Sequence, residues 1–215
     1  MNKLHFSKSE AISFGWKKTK EHLGFFILLF VVVFGVSLFA AFLEEFLLIG
    51  VGVFGSMTGA LITMGVNIII SMGFLNILLK IHDGKKAEIK DLFTCYTPFF
   101  SYLVASILYF MAVSLGLLLF IVPGIILMIK FWFFNYLIVD KNLGPVEALS
   151  KSYEITKGIK MNMFLFLAIT GFIFFLGALA FFVGLLVAIP VASMAWVFVY
   201  RKLLSQMEES VAEVL

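Results

Sequence analysis

Long apolar stretches separated by short polar ones dominate the chain, and none of them alternates with a period of two. Runs without that alternation exclude a transmembrane barrel, whose strands place apolar and polar residues on opposite faces. A helix crosses the hydrocarbon layer with about 20 apolar residues, because only internally hydrogen-bonded backbone is tolerated there. The pattern therefore predicts an all-α, polytopic transmembrane helical bundle. Its six expected spans run from Leu23 to Leu43, Gly55 to Leu79, Phe99 to Phe120, Ile121 to Val139, Met161 to Phe182 and Val183 to Leu203. The third and fourth spans join without a polar loop, as do the fifth and sixth, so a four-span bundle with re-entrant segments is the alternative. In the third-to-fourth join, Pro123 and Gly124 supply the expected tight turn and the start of span four. Pro190 is expected either to begin a shortened helix or to bend span six.

Composition agrees with this pattern. Hydrophobic residues make up 62% and charged residues 13% of the 215 positions, against roughly 25% charged in a soluble domain. The whole chain is read as a single integral membrane domain over residues 1–215. The apolar run after the polar first two dozen residues is too long for a signal-peptide core, so it reads as the first span rather than a removable leader.

Charge sets the expected orientation. Of the 16 Lys and Arg residues, five precede span one, four lie between spans two and three, four between spans four and five, and two near the end of span six. The remaining one is Lys130, within span four, and the other three connections carry none. The positive-inside rule then places both termini in the cytoplasm of a bacterial plasma membrane. No basic patch with interleaved aromatics is present, which excludes a nucleic-acid reader. Membrane lipids are the expected contacts, with a membrane protein partner or a homo-oligomer beside them.

A weak internal repeat relates residues 10–20, EAISFGWKKTK, to residues 147–157, EALSKSYEITK. Glu10, Ala11, Ser13, Thr19 and Lys20 recur as Glu147, Ala148, Ser150, Thr156 and Lys157, and Trp16 is replaced by Tyr153. Both segments are expected to form short interfacial helices. Ile12 and Trp16 would face lipid on the first and Leu149 and Tyr153 on the second, with Trp16 and Tyr153 as depth anchors and a Glu147–Lys151 pair along the second helix. Residues 85–95 are expected to do the same before span three.

Taken together, VPGI at residues 122–125, LIVD at 137–140 and GPVEALSKSYEITKG at 144–158 resemble a group of bacterial integral membrane proteins. These are distantly similar to the membrane region attached to some glycerophosphodiester phosphodiesterases. The resemblance spans most of the chain from about residue 85 onward. It implies a membrane-embedded fold and does not confer the phosphodiesterase activity, since the chain leaves no room for that soluble catalytic domain beside its spans.

Candidate polar chemistry inside the bundle is sparse. Gly55, Gly59, Thr63, Asn67 and Ser71 recur every four residues along span two. The two glycines are expected to pack helices closely, and the three polar residues to turn toward other helices, line a polar pathway or ligand cavity, or form a dimer interface. Lys130 is the costly residue, since an intramembrane charge needs water, a partner or a function. Its side chain is expected to lean toward the outer face, into a cavity or onto Glu44 or Glu45. No metal or cofactor is expected: His5, His22, His82 and the single Cys95 form no ligand pattern, and no nucleophile–base pair is evident. The sequence thus points to a non-enzymatic protein supporting envelope organisation or a membrane partner complex, with a small-molecule or peptide exporter as the alternative.

Overall fold

A computed structural model describes residues 4–180 and 183–212. Its elements are all helical: α1 (Lys8–Glu21), α2 (Leu23–Val51), α3 (Val53–His82), α4 (Asp91–Thr94), α5 (Phe99–Leu119), α6 (Ile121–Lys130), α7 (Phe134–Lys141), α8 (Pro145–Ile155), α9 (Lys160–Leu179) and α10 (Leu185–Ala212). Six of these segments are long and apolar enough to cross a membrane, with α6 and α7 counting as one interrupted span. The chain is a polytopic helical membrane protein. The expected end of span five at Phe182 lies outside the described residues.

Three helical hairpins, α2–α3, α5–α6 and α9–α10, carry much of the packing. Small residues let each pair approach. In α2–α3, a Cβ on Gly55 would run into the Leu47 carbonyl oxygen, and one on Gly59 would sit 2.8 Å from the Glu44 Cα. A Cβ on Gly116 would lie 2.9 Å from the Gly124 Cα, and one on Gly184 2.8 Å from the Gly177 Cα. Without water to drive apolar faces together, such close backbone contact is a main source of helix association in lipid.

Several expected boundaries move. The α5–α6 turn is made by Phe120 in an extended conformation, and Pro123 falls in the first turn of α6, where its missing donor costs nothing. Gly124 is a packing residue against Leu117, not the turn itself. Helix α2 continues through Glu44 and Glu45 to Val51, so these carboxylates are helical rather than part of an outer loop. Pro190 lies inside α10, neither at its start nor in a separate short helix.

Burial is concentrated toward one end. The core gathers the last third of α3, most of α7 and the middle of α10, with Tyr200, Phe133, Phe166 and Leu137 almost fully enclosed. Ring packing knits it together: Trp132 lies 4.8 Å from Trp196, Phe166 4.6 Å from Trp196, and Tyr136 5.3 Å from Tyr200. Helix α2, by contrast, buries only Phe26, Leu29 and Ala40. The same enclosed end carries the ion pairs of Lys80, Arg201 and Lys202.

The two repeat segments are helices, α1 and α8, and each precedes a long apolar helix. Trp16 and Tyr153 are exposed. Ile12 and Leu149 are not: both are half-buried against the core. No ion pair joins Glu147 to Lys151 among the described residues. Residues 85–95 form only the four-residue α4, tied to α3 by Lys80 and Asp91 at 2.7 Å.

Candidate functional site

The polar residues of α3 do not share one face. Each step of four residues advances about 40° around a helix, so Gly55 and Ser71 end up about 160° apart. Gly55 and Gly59 face α2, Thr63 is half-buried with its hydroxyl shielded and unpartnered among the described residues, and Asn67 and Ser71 are exposed. The Ser71 hydroxyl donates to its own helix at the Asn67 carbonyl, 2.8 Å away. The expectation that Asn67 turns toward other helices of the bundle is therefore corrected by this rotation.

Lys130 is placed differently from the outward reach expected of it. It is the last residue of α6, and the helix breaks over residues 131–133 before α7 begins. Its ammonium lies 3.9 Å from the centroid of the Tyr153 ring on α8, and it forms no ion pair with Glu44 or Glu45. A cation over a tyrosine face is attracted by the ring quadrupole, by about 0.5–1 kcal/mol at an exposed site.

Helix α8 also repairs the break. The Lys130 carbonyl accepts from the Ser152 and Thr156 hydroxyls, each at 3.0 Å, and the Phe133 N–H donates to the Ser152 Oγ at 3.0 Å. Ser152 and Thr156 are wholly buried. Backbone groups that a continuous helix would pair internally are satisfied by another element, the condition on which irregular backbone survives at membrane depth. Tyr153, the residue after Ser152, is exposed, and its hydroxyl is held below the ordinary phenol range, first by the Lys130 ammonium and then by the charges of Lys160 and Lys157.

A second polar centre was not singled out by sequence. The Arg201 guanidinium on α10 donates to Asp140 at 2.7 Å and to both Asp83 oxygens, at 2.6 and 3.1 Å. The Tyr200 hydroxyl donates to the same Asp140 oxygen at 2.9 Å, and His82 Nδ1 lies 3.1 Å from Asp83. This arrangement fastens the C-terminal ends of α3 and α7 to the interior of α10 with a fork-shaped donor suited to two carboxylates. Partial burial pushes the Asp83 carboxyl up, but His82 and Arg201 outweigh it and hold its pKa below the ordinary value. The residue types were visible in the sequence; the pairings, across 118 and 61 positions, were not.

Other chemistry is limited. An open groove of about 640 Å³ runs between α1 and α9, lined by Lys8, Ser9, Ile12, Ser13, Trp16 and Ile169. Burial raises the pKa of the Cys95 thiol, the less reactive direction. Among the described residues, no group of three or more His, Cys, Asp and Glu side chains is arranged to hold a metal ion. Comparison with protein-family models, curated proteins and solved structures finds no match to this chain.

Proposed function

We propose that this protein is a non-catalytic component of the bacterial plasma membrane, supporting envelope organisation or a membrane partner complex through its α2–α3 hairpin. The carrying observation is the exposure of α2, which packs mainly on α3, with small contacts to α1 and α10. Large apolar side chains such as Phe34, Phe39, Phe42 and Phe54 are exposed along the hairpin. Asn67 sits exposed near the middle of α3, and its side-chain amide has no partner among the described residues. An amide in hydrocarbon gains from a partner helix, by about 0.6 kcal/mol on average, enough to select a docking register.

The exporter reading draws less support, because its expected pathway residues are dispersed. Glu44 packs on Gly59, Asn67 and Ser71 face outward, and Lys130 stacks on Tyr153. The resemblance to the membrane region of some glycerophosphodiester phosphodiesterases fits a supporting role beside other machinery. Orientation follows the charge map, with the basic end and both termini on the cytoplasmic side.

The test is site-directed photo-crosslinking in native membranes from Leu61 and Met64 on α3, both exposed. A membrane-protein adduct of defined mass, weakened by Asn67→Leu, supports the reading. Absence of any adduct, together with solute flux in proteoliposomes that Lys130→Met abolishes, overturns it in favour of export.

A further inference from the structure

Of the 15 described lysines and arginines, seven are paired. Lys18, Lys80, Lys86, Lys90, Lys141, Arg201 and Lys202 each hold a carboxylate. The lysines around the α8–α9 junction do not. Lys130, Lys157 and Lys160 form no ion pair with any described carboxylate, including the neighbouring Glu154. Lys157 and Lys160 are exposed, and both lie near enough for their charges to be felt at the Tyr153 hydroxyl.

The surrounding backbone adds to this field. Gly158 has a φ of +86°, a left-handed conformation open to glycine, and it lets the chain reverse between the two exposed lysines. Helix α9 then begins at Lys160 after Ile159, whose side chain cannot cap it. The first backbone hydrogen bond of the helix is donated by Met163 to Ile159, which leaves the N–H groups of Lys160, Met161 and Asn162 for another acceptor. Twenty residues of aligned peptide dipoles add positive potential at that end. Lys130 is fixed in place from behind, since its carbonyl is clamped by Ser152 and Thr156.

We propose that the α8–α9 junction binds the phosphate group of an anionic phospholipid, with Lys130 and Tyr153 as the inner wall and Lys157, Lys160 and the first turn of α9 as the mouth. Three ammonium groups, a hydroxyl donor and free N–H groups match a tetrahedral anion with several acceptor oxygens. An exposed aromatic beside them suits the boundary between headgroup and acyl chain. The site is independent of partner docking on α2–α3.

The internal repeat supplies a charge-matched control. Lys20 occupies the position equivalent to Lys157, and with Lys17 it forms another exposed, unpaired pair, but no span-four lysine faces Trp16 as Lys130 faces Tyr153. The full-length protein in phosphatidylcholine nanodiscs is titrated with phosphatidylglycerol, and the retained lipid is counted by native mass spectrometry. Lys157→Met/Lys160→Met should lower retention by about ten-fold or more, whereas Lys17→Met/Lys20→Met should lower it by less than about three-fold. Lys130→Met should match the first variant; if it fails to fold, the two double variants still decide. Equal losses in both double variants overturn the site in favour of general surface attraction. Displacement of the lipid by millimolar inorganic phosphate, dependent on Lys157 and Lys160, retains the phosphate chemistry and overturns the lipid as its source.

Discussion

Helices α1 and α8 descend from the same sequence pattern and bury the same three positions, yet they do different work there. In α1 the buried row is Ala11, Gly15 and Thr19; in α8 and its cap it is Ala148, Ser152 and Thr156. Gly15 presses onto α10, where an added Cβ would strike the Val191 carbonyl oxygen and come within 3.2 Å of the Ala195 Cβ. Ser152, at the equivalent position, instead extends a hydroxyl into the gap between α6 and α7 and bonds both sides of it. One row achieves proximity by having no side chain, and the other achieves it by having one that hydrogen-bonds. A short amphipathic helix is thus a reusable frame, and the residue at its centre decides whether it packs a continuous helix or mends a broken one.

The most damaging way to break this contrast is Gly15→Leu, which places a bulky side chain where backbone already stands. We expect a loss of about 3 kcal/mol or more, read as a large fall in the thermal midpoint of the purified protein. Ser152→Ala comes next, because the Phe133 N–H loses its partner while the Lys130 carbonyl keeps Thr156. The expected cost is about 1–3 kcal/mol, with faster amide exchange over residues 131–134. Thr156→Val should cost about 1 kcal/mol, since Ser152 still serves the same carbonyl.

The third juxtamembrane segment sharpens the comparison through pH. Helix α4 has no buried row of this kind and is held by Lys80 on the buried Asp91. Burial alone would raise the Asp91 pKa, but Lys80 and the Glu88 N–H outweigh it and the pKa falls below the ordinary 3.8. A depressed carboxylate contributes stability that is present above its unfolded pKa and lost as pH falls through the folded one. Exchange protection over residues 88–94 should therefore drop below about pH 3.8, while the α8 contacts, which are neutral hydrogen bonds, persist. Asp91→Asn should remove that pH step. The smallest effect is expected from Glu10→Gln, which breaks the exposed Glu10–Lys202 pair between α1 and α10 at a cost of about 0.5 kcal/mol, measured in the same melting assay.

Much of the architecture was legible from apolar run length, because a membrane imposes one length scale on every span. The positions of Gly55 and Gly59 at a helix contact, and of Trp16 and Tyr153 at exposed sites, were legible for related reasons of size and amphipathic character. The Lys130 side chain departs from the outward direction that an unbroken span would give it, and α6 ends at that residue. Asn67 is exposed rather than turned to the bundle because a spacing of four drifts about 40° per step. The Arg201 clasp was invisible because nothing local ties position 201 to positions 83 and 140.

The sequence by itself determined that the chain is helical and membrane-spanning, where its positive charge collects, and that two short helices share one pattern. These are properties of windows no longer than a span, governed by hydrophobicity and helical period. Only the tertiary structure decided what those helices press against, which carboxylates Arg201 holds, and that α8 mends the break beside Lys130. Those outcomes depend on groups far apart in the chain meeting within hydrogen-bonding distance, and each was selected by the packing of the whole bundle.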